Sequence, residues 1–179
     1  MARETSGAAW RGTDRTDRHA RPKGTARARA LALLATRWRS EHEVRRRLQA
    51  AGFPQEEVEE ALAGLDRAGL IDDARFAREV VRDQSTRRRA SARAMTAALR
   101  QKGVPAAIAE TAVADAGSDS DRALALAESR ARRLTASGPE AAYRRLYGLL
   151  VRRGYTPEVA REACRAALAG VIEPTDPAD

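Results

Sequence analysis

The amino-acid sequence predicts an all-α protein, an elongated tandem array of three three-helix modules with about nine helices in all. Three observations predict it. A glycine-centred pattern recurs 51 residues apart, at Gly52, Gly103 and Gly154, and a fixed long period with matched apolar phase marks a tandem repeat. Apolar residues follow helical spacing, and no stretch alternates as a strand would. Apolar residues make up 43% of the chain but aromatics only 4%. Alanine-rich helices bury little area each, which favours a thin, extended stack over one thick core.

Each repeat reads as helix, glycine stop, helix. Leu48, Leu99 and Leu150 stand four residues before the glycine, and Val44, Met95 and Leu146 stand eight before it. Phe53, Val104 and Tyr155 follow it directly, and Pro54, Pro105 and Pro157 lie within three residues. Glycine takes the left-handed conformation that ends a helix, and proline suits the first turn of the next. Beyond the stop, Val58, Ile108 and Val159, then Leu62, Val113 and Cys164, are expected to face the cores.

Taken in order, residues 1–26 lack periodicity and are expected to form a disordered basic tail. Module 1 (27–68) opens with a helix over about 27–38 whose Leu31, Leu34 and Trp38 share one face. Ser40 with Glu43 three residues on predicts a capping box at the second helix. The third helix starts near Pro54 with Glu56, Glu57, Glu59 and Glu60, which complement its dipole. Module 2 (69–117) begins at Gly69, with Leu70 and Ile71 expected to be buried, and Asp72 capping a helix that carries Phe76, Ala77, Val80 and Val81 inward. Helices over about 90–102 and 105–116 complete it. Module 3 (118–170) opens on Ser118-Asp119-Ser120-Asp121, and its first helix should bury Leu124, Ala127 and Ala131. Helices over about 139–153 and 157–169 follow, and 171–179 is a flexible acidic tail.

Charge and chemistry narrow the function. The net charge is +8, from 33 Lys and Arg against 25 Asp and Glu, and only Lys23 and Lys102 are lysine. By segment it runs +4 over 1–27, zero over 28–68, +3 over 69–117, +4 over 118–170 and −3 over 171–179. The excess in the later modules suggests a polyanionic or acidic partner there. His19 and His42 have no ligands at metal spacing, Asp72 and Asp73 read as caps, and the single cysteine, Cys164, reads as a buried small hydrophobe. No Gly-rich phosphate loop, nucleophile elbow or His-Glu-x-x-His motif occurs, so neither catalysis, a metal nor a cofactor is expected. No apolar run approaches the roughly 18–20 residues of a membrane span, and the N-terminus lacks a secretory core, so a cytoplasmic protein is expected.

The segments Ser40-x-x-Glu43-Val44-x-x-x-Leu48, Gly52-Phe53, Gly69-Leu70-Ile71-Asp72-Asp73-x-x-Phe76-Ala77 and Lys102-Gly103-Val104 resemble the RecX family of bacterial recombinase regulators. The resemblance spans about 27–169, with Gly154 continuing the glycine series, and the Gly69–Ala77 run is its most specific part. Trp38 departs from the polar residue expected there. The row of modules predicts an elongated monomer, and the resemblance implies a curved array of three-helix modules without catalytic residues. It implies binding in the groove of the RecA–single-stranded DNA filament, and modulation, usually inhibition, of RecA's strand exchange and coprotease function.

Candidate contacts to RecA or DNA are Arg87, Arg88, Arg89 and Arg93, Lys102, Arg130, Arg132 and Arg133, Arg144 and Arg145, and Arg152 and Arg153. Arg45, Arg46 and Arg47 are expected instead to face the carboxylates of the third helix. Two other readings compete with a filament regulator: a helical-repeat DNA-binding protein without a recombinase partner, and a pure protein scaffold. Aromatic residues are too few and too core-phased for base stacking to be expected.

Overall fold

A computed structural model describes residues 23–134 and 138–172 and, among them, nine helices and no strand. The expected tails, apart from Lys23–Ala26 and the last residues of the ninth helix, lie outside the described residues. Each module has a lead, a middle and a last helix. They are α1 (Ala26–Thr36), α2 (Glu41–Ala50) and α3 (Gln55–Arg67); α4 (Asp73–Thr86), α5 (Ala92–Gln101) and α6 (Ala106–Ala114); and α7 (Asp119–Leu134), α8 (Pro139–Arg152) and α9 (Pro157–Ile172).

The glycine stops have the expected conformation. Gly103 and Gly154 have φ of 72° and 93°, and the next amide (Val104, Tyr155) bonds back to the carbonyl of Leu99 or Leu150 at 3.1 and 3.3 Å. Phe53 repeats this bond to Leu48, and all three following side chains are buried. The hydrophobic contact that accompanies such a stop is therefore part of each core.

Every module has its own core. Val44, Leu48, Val58, Leu62 and Leu65 centre the first; Phe76, Ala77, Val81, Met95 and Leu99 the second; Leu126, Ala127, Leu146, Leu150 and Cys164 the third. Ile71, on the link into α4, still packs in the first core, whereas Leu70 is 41% exposed rather than buried. Burial raises the Cys164 thiol to about 11, which leaves it protonated and inert near neutrality.

The 51-residue register is stricter than the apolar pattern suggests. Val58, Ala109 and Ala160 are the buried positions, and Ile108, Val159 and Val113 lie only at the edges of their cores. In α1 the inner residues are Ala26 and Ala30, while Leu31 is 40% exposed and Trp38, beyond the helix end at Thr36, is 39% exposed. The stripe that packs on α3 is Ala26, Ala30 and the partly buried Leu34, four residues apart, and Leu31 falls one position out of that phase. Trp38 instead lies 4.2 Å from the Arg75 guanidinium at the start of α4. In α7, Ala123 and Leu126 join Ala127 and Ala131 inside, and Leu124 is only partly buried.

Adjacent modules meet through their middle helices. The stop ending α5 packs on the start of α2, and the stop ending α8 packs on the start of α5. A Cβ on Gly103 would overlap the His42 ring, and one on Gly154 would stand 2.5 Å from Ser91 Oγ. Replacing Gly103 by Ala therefore combines left-handed strain with a clash, and should cost about 1–3 kcal/mol in a denaturant titration. Adding His42→Ala should recover part of that loss by removing the clash but not the strain. An equal cost in both backgrounds would mean that the module 1–module 2 contact does not depend on this packing.

Candidate interaction surface

Helix N-termini leave amides without intrahelical acceptors. The two module junctions satisfy them in the same way. Ser40 caps α2, accepting from Glu43 N at 3.1 Å, and its hydroxyl donates to Lys102 O of module 2 at 2.5 Å. Asp73 of module 2 accepts from Glu41 N at 2.9 Å. One module on, Ser91 caps α5, its own amide donates to Arg153 O at 3.1 Å, and Asp119 of module 3 accepts from Ala92 N at 2.8 Å. Thus the adjacent acids of the Gly69–Ala77 run divide the labour. Asp72 caps its own helix through Arg75 N at 2.8 Å, and Asp73 caps the preceding module. Ser118 and Asp119 divide it likewise. In the first module the corresponding pair is Thr25, which caps α1, and Ala26, and no earlier module stands before it among the described residues. Helix dipoles reinforce the junctions, since the carbonyl end of each middle helix meets the amide end of the one before.

Only half of the expected capping box forms. Glu43 turns to Arg37 at 3.1 Å and to Lys102 at 3.5 Å across the junction. Lys102 also lies 5.7 Å from the Phe76 ring. Burial alone would raise the Glu43 carboxyl, but the hydrogen bond from Arg37 and the charges of Lys102 and Arg37 outweigh it and hold the group below its ordinary value. Asp73 shifts the other way: burial raises it against the opposing bond from the Glu41 amide. Arg39 is buried, donating to Leu33 O and Thr36 Oγ1 at 3.0 and 3.2 Å, and the same burial, with Arg37 and Arg47 close, lowers its pKa.

The candidate cations separate into two groups. Lys102, Arg89, Arg93 and Arg153 serve the junctions. Arg89, at φ 46°, donates to Ala125 O at 2.6 Å while its carbonyl accepts from Tyr155 Oη at 2.7 Å. Arg93 donates to Gly154 O at 3.3 Å, and Arg153 donates to Arg88 O. The guanidiniums of Arg87, Arg88, Arg130, Arg132, Arg133, Arg144, Arg145 and Arg152 belong to exposed residues; Arg87 pairs with Asp83 at 3.3 Å. Arg89, Arg132 and Arg133 border a groove of about 690 Å³ between α7 and α9, with Glu128 and Ser129. Arg45 is held by Glu59 and Glu41 at 3.0 and 2.5 Å, as the carboxylates of α3 lead one to expect. No group of three or more His, Cys, Asp or Glu side chains able to hold a metal occurs among the described residues.

Among the junction residues, Ser91 is not singled out by the sequence, and Asp119 and Tyr155 stand out only as a turn and a core residue. The signal was available for Ser91, which follows Ser40 at the glycine period, and for Asp119, which follows an own-helix cap as Asp73 does.

Models of the first, second and third three-helix domains of RecX match residues 26–65, 72–113 and 118–164. The chain belongs to the RecX family. The regulatory protein RecX of Mycobacterium avium is 40% identical over 151 residues, covering 83% of this chain and 87% of that one. Its counterpart in Corynebacterium efficiens is 40% identical over 158 residues, covering 84% and 75%. The crystal structure of RecX from Lactobacillus salivarius superposes with a TM-score of 0.69 at 20% identity, covering 79% of this chain and 94% of that one, a likeness of fold. The Gly69–Ala77 run contains residues that join modules 1 and 2. No helix among the described residues is long and apolar enough to cross a membrane.

The Glu43 network gives that junction a pH dependence. Ionised Glu43 stabilises the folded state above its ordinary pKa of 4.5, and the contribution is lost as pH falls through the lower folded value. Glu43→Gln should therefore lose less stability than wild type on acidification below pH 4.5, measured by denaturant titration across pH. Identical acid limbs would contradict the assignment.

Proposed function

We propose that this protein binds the RecA–single-stranded DNA filament in the cytoplasm and modulates RecA without catalysis of its own, restraining its ATPase, strand exchange and coprotease action. The observation that carries the reading is membership of the RecX family through all three modules, with curated relatives named regulatory proteins. The chemistry supports it. A row of small modules, each with its own core, suits a helical groove better than a flat face. Exposed arginines such as Arg130, Arg133, Arg144 and Arg152 offer planar guanidinium donors for acidic side chains and phosphates. Their spread over module 3, with Arg87 and Arg88 in module 2, follows the positive charge of those modules.

The groove between α7 and α9 favours a second reading, direct binding of DNA phosphates near Arg132 and Arg133 without a recombinase. The two differ in what they act on. Substoichiometric protein added to RecA turning over ATP on single-stranded DNA should lower the ATPase rate. An unchanged rate up to equimolar protein, with steeply salt-dependent binding to bare DNA, would favour the second reading and overturn the first.

A further inference from the structure

The repeat places His42, Arg93 and Arg144 at equivalent positions of the three middle helices, 51 residues apart. In the first two modules this position meets the glycine stop of the next module. His42 lies beneath Gly103, and Arg93 donates to Gly154 O at 3.3 Å. Arg144 carries the same side chain as Arg93 but makes no hydrogen bond or ion pair with a described residue, and it is exposed. Among the described residues no further module stands against the corresponding face of α8, where Ala142 is buried in the third core and Arg144 is exposed.

That face has also changed composition. Where α2 and α5 have Glu41 and Ala92, α8 has Tyr143; where they have Arg45 and Thr96, it has Tyr147. The tyrosine rings stack at 6.2 Å and 9°, half-buried against the third core. A terminal repeat needs only a polar outer face to end an array. Two tyrosines beside an arginine are instead the residue types that anchor protein interfaces. Meanwhile α8 is 14 residues long against 10 for α2 and α5, and Ala142 N, at the position of Ser40 and Ser91, bonds to Gly138 O at 3.0 Å. The amide donors that receive a following module are sealed, and side-chain donors remain.

We infer that the Tyr143–Arg144–Tyr147 face of α8 is a docking surface for an acidic protein segment, one that presents carbonyls and a carboxylate as the Gly103 and Gly154 helix ends do with Asp73 and Asp119. The inference rests on the functional reading above, and locates on α8 one contact of the protein with its filament partner. Charge complementarity selects this occupant. A second copy would have to offer its own glycine stop, Gly52, but there Ala26 stands where Asp73 and Asp119 supply the carboxylate. Nucleobases would find each tyrosine ring already stacked on its neighbour.

The test uses the full-length chain and Arg144→Glu and Arg144→Lys variants, with circular dichroism and thermal unfolding as controls. Binding is measured to a preformed RecA–single-stranded DNA filament and to bare oligothymidylate, and self-association by sedimentation. Wild type should bind the filament, Arg144→Glu should bind it at least about tenfold more weakly, and Arg144→Lys should fall between. Oligothymidylate binding and the folding controls should be unchanged. Filament binding by Arg144→Glu equal to wild type overturns the inference and leaves the functional reading standing. A parallel loss on oligothymidylate overturns it in favour of the strand. Wild-type self-association abolished by the substitution overturns it in favour of a second copy. A wild-type protein that ignores the filament overturns the functional reading, and this inference with it.

Discussion

The structure depends on one recurring bond, a carboxylate at the start of a lead helix accepting the first amide of the preceding module's middle helix. Asp73 to Glu41 N and Asp119 to Ala92 N are its two instances. The three hydrophobic cores are separate clusters, one to a module. Polar groups that would otherwise need water are paired across each junction, and a buried polar group left unpaired costs more than the pair contributes. Each module thus has a reason to sit at one position relative to its neighbour. The serine caps and the glycine stops complete the same contact from the other side.

This arrangement divides the arginines. In a chain of net charge +8, some cations are consumed in holding the modules together. Arg89, Arg93 and Arg153 donate to carbonyls across the second junction, and Lys102 meets Glu43 across the first. Charge reversal at Arg89 or Arg93 would act first on the junction between modules 2 and 3. Arg130, Arg133 and Arg144 on α7 and α8 are exposed and take part in none of these bonds.

Much of the fold was legible because its signals are local. Gly52, Gly103 and Gly154 end helices, Ser40 and Asp72 cap them, and Val44, Met95 and Leu146 turn inward at the spacing their sequence shows. The misplacements share a cause: partners that lie far away in sequence. Leu31 and Trp38 have the right period for a core, but the stripe that meets α3 is Ala26, Ala30 and Leu34. Glu43 has the position of a capping-box acid, but Arg37 and Lys102 draw its carboxylate away. Arg89 and Arg93 read as a free basic cluster because their acceptors, Ala125 and Gly154, stand 36 and 61 residues on. The repeat itself carries part of this signal, since Asp73 and Asp119 have only Ala26 as their counterpart in the first described module.

Amide hydrogen exchange tests the central claim most directly. Glu41 and Ala92 are the first residues of their helices, and such amides exchange freely unless something outside the helix accepts them. If the neighbouring module's carboxylates hold the array together, both amides should be protected in the full chain, and more strongly than those of Gln55 and Glu56 at the uncapped start of α3. Glu41 and Ala92 amides that exchange as fast as those of Gln55 and Glu56 would contradict the account.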